Sequence, residues 1–148
     1  MINFSLILLS FLILGCSSPH IEKKRLYATY FDTSNIEFNG KNLILAKINN
    51  RVYYIRKDGK AMPVYIDEKG KIDRFKEGLA RAKINGKIGF FNKNLDMVIE
   101  PFYDFAFPFH NGISDICVGC REKIEDNSSL LDGGEWKRID RQGLIIEE

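Results

Sequence analysis

The stretch that decides the fold is "FKEGLARAKINGKIGFFN", residues 75–92. From Leu79 to Ile84 small or apolar residues alternate with cations. Ala80, Ala82 and Ile84 fall on one side, Arg81 and Lys83 on the other. Period two sends successive side chains to opposite faces, so the segment predicts a half-buried strand. Asn85-Gly86 follows, a pair that tolerates the positive φ of tight hairpin turns. The return segment "KIGFFNK" is rich in β-branched and aromatic residues, and Ile88 and Phe90 share a face. The whole reads as one hairpin. A lone hairpin is marginal in water, so it must pack against something.

The same element recurs in the chain. "AKINNRVYYI", 46–55, aligns with "AKINGKIGFF", 82–91, at an offset of 36. Asn49-Asn50 takes the turn, Ile44, Ala46 and Ile48 take the strand face, and Val52 and Tyr54 match Ile88 and Phe90. "GEWKRIDRQG" from Gly134 aligns with "GKIGFFNKNL" at an offset of 48, and "FKEGLA" at 75 returns as "FHNGIS" at 109, an offset of 34. A period near 35 marks a repeat architecture, and the larger last offset marks an insertion before the final copy. Each unit continues through a turn ("KDGK" or "KNLD") into a short strand such as "MVIEP". Pro101 is expected to end that strand, since proline cannot donate into a ladder. An irregular aromatic segment, "FYDFAFPF", follows. The expected fold is all-β, an array of hairpins near 44–56, 79–92 and 135–146, with no helix longer than two turns after residue 25. About three units are too few for a closed propeller, which uses four or more blades.

These units resemble WG (KWG) repeats. Phe75, Glu77, Gly78, Leu79 and Ala80 fit the opening of the pattern, and Gly86, Lys87 and Gly89 its strand. Val98, Ile99 and Pro101 fit the next strand; Tyr103, Asp104, Ala106 and Phe109 fit the close. In the last copy Gly134, Trp136, Ile139 and Asp140 fit. The resemblance spans about residues 38–146. The naming Trp-Gly pair never occurs intact: it is Val52-Tyr53, Ile88-Gly89 and Trp136-Lys137. Arg138 stands where an aromatic is expected, which suits an edge or cap. The resemblance implies a bacterial envelope or surface protein and brings no shared set of catalytic residues.

The N-terminus speaks to location. Ile2 to Leu14, "INFSLILLSFLIL", carries no charge. As a helix it would be roughly 20 Å long, against a hydrocarbon core of about 30 Å, so it reads as a signal peptide. "ILGC", Ile13 to Cys16, resembles the lipobox of bacterial lipoproteins, although the n-region has no Lys or Arg. That resemblance implies cleavage after residue 15, lipidation of Cys16, and membrane attachment through several acyl chains. Ser17 after the lipid site implies sorting to the outer membrane of the envelope. The expected organisation is a signal peptide over 1–15, the lipidated cysteine and a polar tether over 16–25, and a WG-like β-repeat domain over 26–148.

Net charge is +2 with both signs interspersed, so there is no basic face to suggest nucleic acid. The insertion holds "ICVGCREK", and Cys117 and Cys120 are the two cysteines besides Cys16. A similar C-x-G-C insertion occurs in a subset of WG-repeat proteins. Four readings stand: a disulfide, two buried free thiols, a redox pair, or half a metal site. An oxidising compartment and the even count favour the disulfide. An extended C-x-x-C would hold its Cα atoms roughly 10 Å apart, so Val118-Gly119 must turn to bring them within reach. Zinc would need two more ligands, and a redox pair would want a helix N-terminus. Asp104, His110 and Ser114 are triad residue types, but repeat positions account for Asp104 and His110. Asp67, Glu68, Glu125, Asp126 and Asp140 read as solvated turn residues. Aromatics such as Phe102, Phe105, Phe107 and Trp136 could line a glycan or peptide groove, with core packing the default. The expectation is a non-enzymatic lipoprotein without a cofactor, anchored by lipid, whose repeats bind an envelope protein or glycan. The alternative is a thiol-redox or other enzymatic protein using Cys117 and Cys120.

Overall fold

The computed structural model describes residues 27–125 and 128–147. The readings made for residues 1–25, Cys16 included, lie outside the described residues. The described chain is all strand and turn, with no helix.

Residues 75–92 form the middle of the fold. β5 (Leu79–Ile84) and β6 (Lys87–Asn92) pair as a two-residue hairpin around Asn85 at φ 50° and Gly86 at φ 79°. The first copy repeats this: β2 (Leu43–Ile48) pairs with β3 (Arg51–Arg56) around Asn49 and Asn50, both at positive φ. The third copy departs from expectation. Residues 135–146 turn back on themselves only briefly, through an Ile139–Ile145 bridge and the Ile146 amide on the Arg138 carbonyl, and the main partner of this segment lies elsewhere. The full-length partner is β9 (Ile113–Val118), which pairs with β12 (Glu135–Asp140), and a second hairpin, β10 (Arg121–Glu125) with β11 (Ser128–Asp132), is spliced into the turn between them. The connection is 16 residues long where Asn85-Gly86 supplies 2, and this excess of 14 is the gap between the offsets of 34 and 48. The repeat is therefore intact, with its insertion at a turn.

Each hairpin recruits further strands. The first sheet runs β1 (Thr29–Tyr30), β4 (Lys60–Pro63), β3, β2. The second is β5, β6 and β7 (Met97–Tyr103), and the third is β12, β9 and β8 (Phe105–Ala106). The connectors change sheets. After β4, the Tyr65 amide bonds the Arg81 carbonyl of β5 at 2.9 Å; after β7, the chain passes into β8 and pairs with β9. The segment 102–109, read as irregular, thus holds a short strand that stitches one unit to the next.

Pro101 does not end its strand. β7 runs through it to Tyr103, because the ladder bulges there: Ile88 and Phe90 face Tyr103 and Ile99, so extra β7 residues arch over Gly89. A bulge leaves a residue without a ladder bond, which suits a proline. A Cβ on Gly89 would stand 2.5 Å from the Ile99 carbonyl oxygen and 2.7 Å from the Pro101 nitrogen. In the first unit β3 and β4 pair in regular register, and the matching position carries Tyr53, whose ring packs edge-on against Phe31 at 5.1 Å.

The middle sheet is covered on both faces. Ile88, Phe90 and Leu79 pack with Ile116, Ile139 and Phe109 toward the third sheet. Ala80, Ala82 and Phe91 pack with Tyr54, Met62 and Val64 toward the first. Small residues on β5 let the first sheet approach closely. Leu95 holds a left-handed φ of 58°, where the aligned residues are Gly59 and Gly143. That conformation costs about 1–2 kcal/mol for a side chain, and full burial of a leucine at about 1.5–3 kcal/mol offsets it.

Gly89→Ala is expected to destabilise the chain by about 3 kcal/mol, since the added methyl meets main-chain atoms on a crossing strand. Gly86→Ala, at positive φ but in open space, should cost only about 1 kcal/mol. Urea denaturation of both variants checks this. A loss at Gly89 no larger than at Gly86 would mean the bulge yields freely.

Candidate functional site

Arg81 was expected on a solvated face. It is instead 8% exposed and sits between the second and third sheets. Its Nη2 bonds Asp73 at 2.7 Å, its Nη1 donates to the Ala106 carbonyl at 2.7 Å, and its guanidinium lies 4.6 Å from the centre of the Tyr65 ring. The other Asp73 oxygen accepts the Arg81 amide, and the Asp73 amide bonds the Tyr65 carbonyl. The Nε–H is buried without an acceptor. Burial and the low local dielectric are why this cation needs Asp73, and why the pair fixes three segments at once. Burial also pushes the Tyr65 phenol pKa up, so the ring stays neutral beside the guanidinium.

The outward face of the third sheet is aromatic. Ile116 and Ile139 face the second sheet, so their neighbours along the strands face away. Trp136 and Phe105 flank Cys117 in register, and the Phe107 amide bonds the Asp115 carbonyl on the next row. Phe105 and Phe107 meet edge to face at 5.0 Å, and each lies 6.1 Å from Trp136. Phe107 is 47% and Trp136 43% exposed. The corresponding face of the second sheet is buried by the third. Of the aromatics named from sequence, Phe90, Phe91 and Tyr54 are core, whereas Phe102, Phe107 and Trp136 reach solvent.

Two clefts flank this face and share Tyr65 and Phe105 as a wall. One, of 450 Å³, lies between the loop 67–76 and the rings of Phe105 and Phe107, with Arg81 among its lining. The other, of 400 Å³, lies between Tyr65–Glu68 and the inserted hairpin at Cys120, Glu122 and Leu131. The loop is shaped by Asp67, whose Oδ1 accepts the Lys69 and Lys71 amides at 3.0 and 2.8 Å. Asp140 accepts the Gln142 and Leu144 amides likewise. Both carboxylates are turn residues, as their sequence setting implies.

Cys117 and Cys120 are joined as a disulfide, with Cα atoms 6.0 Å apart and Gly119 turning between them at φ 81°. The bond does not sit in a projecting loop. It closes the neck of the inserted hairpin, where Cys117 is fully buried and Cys120 nearly so. Gly134 lies directly on it, and a Cβ there would come within 2.6 Å of the Cys117 sulfur. Asp104 braces the neck from below, accepting the Gly119 amide at 2.7 Å and pairing with Lys87 of β6. These contacts favour the ionised Asp104 carboxylate: the Lys87 hydrogen bond first, then the Gly119 amide, lower its pKa from 3.8.

Asp104, His110 and Ser114 are each committed elsewhere. Ser114 is buried and donates to the Phe107 carbonyl at 2.7 Å, Asp104 serves the neck, and His110 flanks the Asn111-Gly112 turn. Among the described residues no three His, Cys, Asp or Glu side chains converge to hold a metal.

Stacked hairpin units joined by sheet-switching connectors define a β-repeat protein. Residues 70–87 and 88–119 match the sequence profile of the WG containing repeat, so this is a WG-repeat-containing protein. The second match begins on the return strand β6 and ends one residue past β9, at the point where the insertion starts. No curated protein and no solved structure matches the chain.

Because Asp104 has a depressed pKa in the fold, its contribution to stability is present above the ordinary carboxylate range and is lost as pH falls below about 4. The Gly119 amide is expected to be well protected from hydrogen exchange at neutral pH. Near pH 3 its protection, corrected for intrinsic rate, should drop, and Asp104→Asn should abolish the pH dependence. Equal protection at both pH values would contradict this.

Proposed function

We propose that this protein is a non-enzymatic, lipid-anchored envelope protein whose WG repeats serve as a binding module. The observation that carries the proposal is the aromatic outward face of the third sheet. Burying Phe105, Phe107 and Trp136 would remove a large apolar area from water, and aromatic residues dominate binding energetics at interfaces. Their position at one end of the array gives a partner direct access.

The alternative, thiol-redox work at Cys117 and Cys120, has less support. Exchange requires a thiolate to attack a disulfide sulfur, and one sulfur here is fully buried and the other nearly so. A buried bond at the neck of a hairpin suits a structural role. In the chain-entropy model so small a loop adds about 2 kcal/mol.

The lipid anchor rests on "ILGC" alone. Cys16→Ser is expected to block lipid labelling and move the protein from the membrane to the soluble fraction. Cys16→Ser protein that still sediments with membranes like wild type would refute the anchor.

Crosslinking in intact envelopes tests the binding face. Wild type should give a discrete crosslinked species that a Phe107→Ser, Trp136→Ser double variant loses and an Arg51→Ser variant keeps. Identical crosslinks from both variants would place recognition elsewhere.

A further inference from the structure

The 450 Å³ cleft beside the aromatic face has a composition of its own. One wall is Phe105, Phe107 and Pro108. The opposite wall is the loop carrying Lys69, Lys71, Arg74 and Lys76. Three acidic residues also line it, but two are already engaged. Asp73 is bonded to Arg81, and Asp67 spends Oδ1 on the amides of its own loop. Asp67 and Glu68 keep their charges against four exposed cations, so the lining is net positive and Glu68 is the carboxylate not tied to its own loop's amides. Below them lies the Arg81 guanidinium, whose buried Nε–H has no acceptor. The cleft therefore combines an aromatic wall, a cationic wall and an acceptor carboxylate.

We propose that this cleft binds an acidic saccharide, one or two sugar rings bearing carboxylates. The inference rests on the binding-module reading and names the ligand class. Three features select it. The aromatic rings offer faces and edges for the apolar C–H surface of a pyranose. The Lys and Arg side chains meet a ring carboxylate with charge-assisted hydrogen bonds. Glu68 accepts from hydroxyls, which an acidic peptide side chain would not supply. The volume is at the small end of ligand sites, which fits one or two rings and excludes a folded partner. An extended chain could leave the cleft across Trp136, whose ring neighbours both Phe105 and Phe107. The cation-rich wall draws acidic ligands in at low salt and makes affinity fall as salt rises.

Trp136 is the chain's one tryptophan, so its fluorescence reports occupancy of this face without a label. The full chain in non-ionic detergent is titrated with oligogalacturonate, with a neutral glucan of equal length and with oligoglutamate, and calorimetry repeats each titration. Oligogalacturonate is expected to change Trp136 emission saturably and to bind at least about tenfold tighter than either comparison ligand. Lys71→Glu with Arg74→Glu, both at exposed positions, should weaken it by about tenfold or more, and Phe107→Ala should do so without altering the salt dependence. Equal binding of the neutral glucan would remove the cationic wall from recognition and overturn the proposal. Equal binding of oligoglutamate would make the site a peptide site. If no ligand binds while the Phe107→Ser, Trp136→Ser variant still loses its envelope crosslink, the saccharide assignment falls and the binding-module reading stands. If the ligand binds and the crosslink is insensitive, the cleft is real and the broader partner lies elsewhere.

Discussion

The guanidinium of Arg81 ties together parts of the chain that no hairpin could join. It sits on β5, holds Asp73 on the connector arriving from the first sheet, and donates to Ala106 on β8 of the third. Each of the three stacked sheets alone is a three- or four-stranded ribbon with apolar faces. What makes an array is that every connector leaves one sheet and enters the next, and Arg81 pins both crossings at one point. Removing one partner of such a buried pair costs about 3–5 kcal/mol, because the other charge is left without compensation. A well-packed apolar replacement of both could be neutral. The pair's value thus lies in specifying which connector docks where, a function that greasy contacts between similar units would serve poorly.

The hairpins were legible because their signals are local. Alternation across 79–84, positive-φ pairs at 49–50 and 85–86, and β-branched return strands each lie within a few residues. What was not legible required partners distant in sequence. Alternation assigned Arg81 to solvent because cations usually end there. Yet the repeat register aligns Arg81 with Leu45 in the first unit, a residue packed against the core. A core position that changes from leucine to arginine is a signal of a buried charge, and it could have been read. Pro101 misled for a related reason. Proline does exclude a ladder bond, but a bulge supplies a position that needs none, and the glycine opposite was the clue. In the third unit the short turn-back after β12 was legible, but the β9–β12 pairing was not, because those two strands are separated by an entire second hairpin.

That second hairpin shows how a repeat array tolerates growth. Loop-closure entropy rises only slowly with length, so an insertion at a turn costs little, whereas one within a strand would shift register. Cost is not the only issue, since a long insertion on an unrestrained neck would swing. Here the disulfide, Gly134 packed on it and the Asp104–Gly119 bond all act within the neck itself. The inserted strands are thereby held as one wall of the 400 Å³ cleft. Cysteine spacing pointed to this site from sequence, but that spacing alone could not say the bond would be buried.

The two outer faces of the array are treated differently. The outward side of the first sheet is covered by the segment that contains Phe31. Its ring packs on Tyr53, and its carbonyl lies so close to Gly59 that a Cβ would stand 2.4 Å away. Ile55 and Ala61 are fully buried as a result. The third sheet has Arg138 and Asp115 on its outward side, as a polar cap requires, but also three aromatic rings. Repeat arrays need polar outer faces for solubility, so aromatic residues on such a face oppose the trend of the architecture. Replacing the aromatic expected at position 138 by arginine moves toward a cap, whereas keeping tryptophan at 136 moves away from it. The face combines both: Phe105 and Trp136 flank Cys117 on one row, and Phe107 joins Asp115 and Arg138 on the next. Exposure of this kind is uncommon on soluble surfaces and concentrates at binding sites. The same sheet-stacking rule that buries the aromatics of the second unit therefore leaves those of the third available to something else.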